Sequence, residues 1–218
     1  MKGFESQRWV ALDVGETLIN ETRVWSVWAD LLHVPRLTLM AALGAEIASG
    51  GDHQTSFQLV GAPNWRDHLD EAEKRYGGFR TDDLYPDALP AVDALCRAGY
   101  RVAIVANQPA RRTQELRALG FEPDVMAMSG EIDVHKPDPA FFARALDLMG
   151  NPDPLQVAYV GDRVDNDVIP SQDAGMHAVW IRRGPWGTIQ HVPEELAGRV
   201  TIVSSLAELP AALDSIWG

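Results

Sequence analysis

The chain has 218 residues, of which 46% are hydrophobic and 23% are charged, which suits a globular protein with one α/β domain and a modest insertion. The formal net charge of −12 repels nucleic acid and anionic membrane surfaces, so we expect neither as a partner. Cys96 is the only cysteine, which excludes an intramolecular disulfide and a thiolate zinc cluster and favours a cytoplasmic location.

The first predicted strand is a short apolar run, Trp9–Leu12, that ends at Asp13. A carboxylate at the end of a buried strand must be solvated, metal-bound or reactive, because burying it without a partner is costly. Gly15 and Thr17 follow and suit a tight turn in which the backbone approaches a ligand. Asp13 is therefore the first candidate for a functional residue.

The next segment has helical rather than strand periodicity. Helices are predicted at residues 24–32, 39–47 and 65–76, with Asn64 as a possible N-cap of the third. Because no strand pattern separates them, residues 21–83 are predicted to form a helical insertion, which we call the cap. Neither the cap nor any other segment contains a run of about 18 uncharged apolar residues, so we expect no membrane span.

After the cap, strands and helices alternate. A helix is predicted to begin at Pro109, because proline suits the first turn of a helix. The strands are predicted at residues 102–106, 125–128, 157–160, 178–181 and 200–203. This rhythm predicts an α/β fold, a doubly wound parallel sheet with helices on both faces, formed by residues 1–20 together with 84–218.

Several polar residues come at the ends of these strands or in the loops that follow them. Ligands of such sheets bind beyond the carboxyl ends of the strands, where Asp13, Asn107 and Asp162 are predicted to lie. Asp167 adds another carboxylate to the Asp162 loop, and hard oxygen ligands of this kind suit Mg²⁺. Lys136, in a loop with two prolines, could neutralise carboxylates or bind an anion.

In this order and spacing, the residues resemble the haloacid dehalogenase-like hydrolase superfamily, with a helical cap inserted after the first motif, Asp13-Val14-Gly15-Glu16-Thr17. The resemblance implies a Rossmann-like core, a Mg²⁺ cofactor and a small phosphorylated metabolite as the partner. The resemblance implies that Asp13 and Lys136 are catalytic and that Asn107 and Thr17 bind the substrate. It also implies that the metal is bound by Asp13, the Gly15 carbonyl, Asp162 and Asp167.

The chain departs from the family pattern at two positions. Phosphatases of the family carry a second Asp, the general acid and base, where this chain has Gly15. They usually carry a Ser or Thr hydroxyl where it has Ala106. Glu16 is a candidate to replace the acid, and Asn107 is a candidate to replace the hydroxyl. Without the acid we expect slow turnover and a strong preference for leaving groups of low pKa, unless another residue supplies the proton.

Three functions remain open from the sequence. The first is a Mg²⁺-dependent phosphatase of small phosphate monoesters that uses Asp13 as nucleophile. The second is a 2-haloacid dehalogenase-type hydrolase, because relatives with that activity also lack the second Asp; the acidic loop at Asp162 argues against it. The third is a catalytically impaired protein that binds a phosphorylated ligand. The oligomeric state is not predicted.

Overall fold

The computed structural model describes residues 7–218. Six parallel strands form one sheet in the order β3-β2-β1-β4-β5-β6, which confirms the predicted doubly wound α/β class. The strands are β1 (Trp9–Leu12), β2 (Arg101–Ala106), β3 (Val125–Met128), β4 (Val157–Gly161), β5 (His177–Ile181) and β6 (Thr201–Val203).

Helices flank the sheet on both faces and also form the inserted segment. Within the described residues, the α-helices are α1 (Thr22–Leu31), α2 (Arg36–Ala48), α3 (Thr55–Leu59), α4 (Leu69–Tyr76), α5 (Ala88–Arg97), α6 (Arg112–Ala118), α7 (Ser129–Ile132), α8 (Pro139–Leu148), α9 (Ile169–Asp173), α10 (Gly184–Ile189) and α11 (Leu209–Trp217). A single π-helical turn, Val164–Val168, precedes α9.

The central strand β1 shows why the sheet needs helices on both faces. Its four residues are all buried, and successive side chains point to opposite faces of the sheet. Val10 and Leu12 pack in a cluster with residues of α5 and α11. Trp9 and Ala11 pack in a second cluster with residues of α8. A short apolar run thus builds both halves of the core and delivers Asp13 to the sheet edge.

The cap consists of helices α1 to α4 and two 3-10 turns, Trp65–His68 and Thr81–Asp83. Its buried cluster includes Trp25, Leu43 and Phe57, and also Trp186, which comes from α10 of the core. The cap boundaries at residues 21 and 83 stay a prediction. Among the described residues, no single helix is long and apolar enough to cross a membrane. Taken together, α1 and α2 have the length and composition of a membrane span, but the pair is bent by 116°.

One short helix was not predicted, and two local predictions were wrong. The short helix α3 was not predicted, because five residues are too few to show a period. Asn64 makes no side-chain capping hydrogen bond. Helix α6 begins at Arg112 rather than at Pro109, and the amide of Arg112 donates to the Pro109 carbonyl in the turn that precedes it.

Candidate active site

Asp13 and Lys136 form a buried ion pair at the carboxyl edge of the sheet. Lys136 Nζ lies 2.7 Å from Asp13 Oδ1 and 2.5 Å from Asp167 Oδ1. Asn107, which follows β2, holds the backbone of Lys136 in place: its Oδ1 accepts from Lys136 N at 2.8 Å and its Nδ2 donates to Lys136 O at 2.9 Å. The structure therefore brings together residues that the sequence placed on four separate loops.

Asp13, Asp162 and Asp167 offer carboxylate oxygens that lie within 4.8 Å of one another. Asp162 Oδ2 is buried and has no hydrogen-bond partner among the described residues. A buried carboxylate oxygen without a donor is costly unless a cation approaches it. The donor set is all oxygen, which suits a hard divalent ion, so the residues present fit the predicted Mg²⁺.

The electrostatics of this cluster favour a bound cation. Burial raises the pKa of Asp13 to about 6, and Asp167 adds to the rise while Lys136 opposes it. Burial and the charge of Asp167 hold the pKa of Asp162 well above its usual range. Burial alone would lower the pKa of Lys136, but the two carboxylates raise it well above its usual value. Lys136 stays charged, and the remaining negative charge would be offset by a divalent ion.

The turn after Asp13 fixes Glu16 in a structural role. Glu16 has a left-handed backbone conformation, with φ of 48°, and its side chain is buried. Its Oε1 accepts from the amide of Glu21 at 2.8 Å, and its Oε2 accepts from the Tyr85 hydroxyl. Both carboxylate oxygens are thus occupied, so Glu16 is poorly placed to replace the missing acid.

Two other predicted site residues, Thr17 and Asp167, are buried and do not line the cavity to which Asp13 contributes. Thr17 is fully buried, and its Oγ1 has no hydrogen-bond partner among the described residues. It is not among the residues that line the cavity over Asp13, so its substrate-binding role stays a prediction without a contact to support it. Asp167 is also buried; its Oδ2 accepts from the amide of Arg163 at 3.0 Å, which shapes the acidic loop.

Glu21 is a site residue that the sequence did not indicate. A Cβ atom added at Gly15 would lie 2.6 Å from Glu21 Oε1, so the Glu21 carboxyl occupies the space beside Gly15. Burial, followed by the charges of Glu16 and Asp13, raises the pKa of Glu21 to about 8, and a hydrogen bond from the Trp25 side chain opposes the rise. No sequence signal marks Glu21, because it precedes the apolar stripe of α1.

A cavity of about 400 Å³ lies between this site and the cap. Asp13, Lys136 and Asp162 form part of its lining on the sheet side. On the opposite side it is lined by aromatic residues, mostly of the cap: Trp25, Trp28, Phe57, Trp65 and Trp186. Trp25, Trp28 and Trp65 thus pack within the cap and also line the cavity. The arrangement can hold a small molecule with one end on Asp13 and the other against aromatic rings.

The chain is similar to known proteins in sequence and in fold. The family model for haloacid dehalogenase-like hydrolases matches residues 7–175. The chain is 30% identical to the phosphoserine phosphatase of Thermus thermophilus over 169 residues, which cover 76% of this chain and 66% of that protein. It is 34% identical to the glyceraldehyde 3-phosphate phosphatase of Methanopyrus kandleri over 105 residues, or 47% of this chain and 45% of the relative.

The chain thus spans about half to two thirds of the length of these two relatives. A crystal structure from Haemophilus somnus, described as a predicted phosphoglycolate phosphatase, superposes with a TM-score of 0.70 at 19% identity. The match covers 97% of this chain and 100% of that one, and at this identity it shows the fold alone. From the family match and the shared fold, the chain belongs to the haloacid dehalogenase-like hydrolases.

Proposed function

We propose that the protein is a Mg²⁺-dependent phosphatase of small phosphate monoesters that uses Asp13 as its nucleophile. The observation that carries the proposal is the Asp13 carboxylate at the cavity wall, 2.7 Å from the Lys136 ammonium and beside the unpartnered Asp162 oxygen. The names of the curated relatives support a phosphorylated small molecule as the substrate class.

The reaction would proceed in two displacements at phosphorus. In the first, an Asp13 oxygen attacks, a bond from Asp13 to phosphorus forms, and the ester bond breaks with its electron pair on the leaving oxygen. In the second, water attacks phosphorus and releases phosphate and the free carboxylate. Lys136 orients Asp13 and places positive charge beside the phosphoryl oxygens, which gain charge in the transition state.

The predicted metal ligands complete the proposal. Asp13, Asp162, Asp167 and the Gly15 carbonyl would hold the Mg²⁺, which when bound supplies positive charge next to the phosphoryl group. The same buried acids argue against the dehalogenase alternative, since a halide leaves without metal assistance. An impaired binding protein differs from a phosphatase in that it binds the phosphorylated ligand without releasing phosphate.

The test is a screen of phosphate monoesters with and without Mg²⁺. We expect phosphate release that requires Mg²⁺, is lost on chelation and falls to background in Asp13→Asn. Asp173→Asn, an exposed acid on α9, is the matched control and should retain activity. We also expect Mg²⁺ to raise the melting temperature of the wild type but not of Asp162→Asn, because a ligand of the folded state stabilises it.

Two results would contradict the proposal. Release of halide from 2-haloacids that survives chelation would identify a dehalogenase. Binding of phosphorylated ligands without product after long incubation would identify an impaired protein.

A further inference from the structure

The first inference rests on the proposed function and concerns the proton that the leaving group needs. An alkoxide is a poor leaving group, so the departing ester oxygen must receive a proton as the bond to phosphorus breaks. Four acidic residues line the cavity: Asp13, Glu16, Glu21 and Asp162. Asp13 is the nucleophile, Asp162 belongs to the candidate metal cluster, and both oxygens of Glu16 accept hydrogen bonds. Glu21 is the acid that remains.

The position of Glu21 suits this task. A Cβ at Gly15 would lie 2.6 Å from Glu21 Oε1 and 3.1 Å from Glu21 Cδ, so the carboxyl lies where a side chain at position 15 would begin. It is held there because the Glu21 amide donates to Glu16 Oε1 at 2.8 Å. The turn that carries the nucleophile thus makes room for this carboxyl and also anchors its backbone.

We propose that Glu21 is a catalytic residue that gives its proton to the leaving ester oxygen. In the second displacement, the Glu21 carboxylate takes a proton from the attacking water while the bond between phosphorus and Asp13 breaks. Phosphate leaves, and both side chains return to their starting states. Glu21 thereby restores the proton transfer that Gly15 removes.

The test compares Glu21→Gln with the wild type on substituted phenyl phosphates of falling leaving-group pKa and on benzyl phosphate, whose leaving group is an alkoxide. All of these substrates keep the aromatic ring constant. We expect kcat/KM on benzyl phosphate to fall about 10²–10⁴-fold, with a loss that shrinks towards dinitrophenyl phosphate, which departs without protonation. Glu122→Gln, an exposed Glu outside the cavity lining, is the control and should match the wild type.

A second variant makes the test independent of folding defects. Glu21→Ala removes the carboxyl and opens the space at Gly15, so the double variant with Gly15→Asp should recover benzyl phosphate hydrolysis relative to Glu21→Ala. Suppose that the wild type is active and Asp13→Asn is inactive. A uniform loss over the whole substrate series, or no loss, would then overturn the role of Glu21 but leave the proposed function standing. A wild type without Mg²⁺-dependent hydrolysis would overturn both this role and the proposed function.

A second inference, which also rests on the proposed function, comes from the aromatic wall of the cavity. Trp25 stacks on Phe57 with ring centroids 5.8 Å apart, and Phe57 stacks on Trp65 at 4.8 Å. Trp28 meets Phe57 at 5.1 Å, and Trp186 adds a further indole to the lining. These residues form an aromatic, apolar part of the lining of the cavity that also contains Asp13.

The cations of the cavity are already paired. Arg112 pairs with Glu73 and Glu115 at 2.8 and 2.7 Å, and Arg163 pairs with Asp165 at 2.6 Å. Burial lowers the pKa of His53, which favours its neutral form. A leaving group that carries a carboxylate would meet no unpaired cation among the residues that line the cavity, and burying its charge there would be costly.

We infer that the substrate is a phosphate monoester whose leaving group is uncharged and presents an aromatic or apolar face. Benzyl phosphate, phosphoglycolate and phosphoserine all release an alkoxide, so comparing them separates the subsite from proton transfer. We expect at least a tenfold higher kcat/KM for benzyl phosphate. A higher value for either carboxylate-bearing ester would overturn the inference while leaving the proposed phosphatase activity intact.

The half-buried Trp28 offers a variant that tests the wall itself. Trp28→Leu should raise KM for benzyl phosphate about 2- to 12-fold, the range for one lost aromatic pair, and leave inhibition by inorganic phosphate unchanged. Leu37→Ala, an exposed change on α2 of the same cap, is the control. An unchanged KM, or equal losses for benzyl phosphate and inorganic phosphate, would contradict the proposed contact.

Discussion

At the scale of single residues, Lys136 is the point where stability and chemistry meet. Its ammonium is buried between the carboxylates of Asp13 and Asp167, and its backbone is held on both sides by Asn107. Removing one partner from a buried ion pair is far more damaging than removing an exposed pair, because the other charge stays behind without compensation. Lys136 therefore stabilises the fold and, under the proposed function, orients Asp13 for its attack on phosphorus.

Lys136→Met is expected to abolish phosphatase activity and to lower the free energy of unfolding by about 3–5 kcal/mol in chelator, because two carboxylates lose their buried partner. Urea unfolding at pH 7 measures the change. Lys74→Met, an exposed lysine on α4, should change the stability by less than about 0.5 kcal/mol. Equal stability of the two variants would contradict the buried pair as a source of stability.

Individual site residues differed in how far they could be predicted. Asp13 and Asp162 were predicted as site residues because each follows a run of strand residues. A carboxylate buried there is costly unless a cation or a hydrogen-bond donor accompanies it. Asn107 was predicted to face the substrate, whereas its amide spans the backbone of Lys136; direct substrate binding stays a prediction. Glu21 escaped notice because its importance depends on the empty space at Gly15, which only the folded turn reveals.

At the scale of elements, Arg23 ties the first cap helix to the segment that returns to the core. From α1 it donates to the carbonyls of Tyr76 and Gly78, both at 2.5 Å, and pairs with the buried carboxylate of Asp83. Its guanidinium also stacks on the Tyr76 ring, 3.9 Å from the centroid. The Arg23 side chain thus connects helix α1, at the start of the cap, with residues 76–83 at its end.

Arg23→Met is expected to cost about 2–3 kcal/mol of unfolding free energy, because hydrogen bonds to a charged partner are lost and Asp83 stays buried. We also expect faster proteolysis between residues 77 and 87, where the chain leaves the cap. Urea unfolding and limited proteolysis measure the two effects. Arg36→Met breaks the exposed pair with Asp30 in the same cap and should cost at most about 1 kcal/mol; similar losses in both variants would refute the difference.

Elements with a strong pattern were predictable, and short elements were not. Buried parallel strands appear as continuous apolar runs, and for this reason β1 was predicted with its observed bounds. Pro109 suited a helix start by its chemistry alone, yet the chain first makes a turn and the helix begins at Arg112. The local preference of proline therefore indicated a nearby helix start, but the helix itself begins three residues later.

At the scale of the whole molecule, the negative net charge disfavours the anionic substrate that the proposed site would bind. A net charge of −12 repels an anionic substrate, and the carboxylates at the sheet edge add to that repulsion. Lys136 is already held by two of them, which is why a divalent cation is central to the proposed activity. The net charge follows from composition, but the unpartnered Asp162 oxygen that would meet such a cation became visible only in three dimensions.

The packing of α10 also limits how freely the cap can be treated as a separate unit. Trp186, from α10, is buried with the aromatic residues of the cap, and Ile189 lies against α2, where a Cβ added at Gly44 would be 3.5 Å from Ile189 Cδ1. An isolated peptide of residues 21–83 would lack the side chains of Trp186 and Ile189. Apolar residues of α2 would then be exposed to solvent. Grafting this cap onto a related core would consequently require α10 to be transplanted with it.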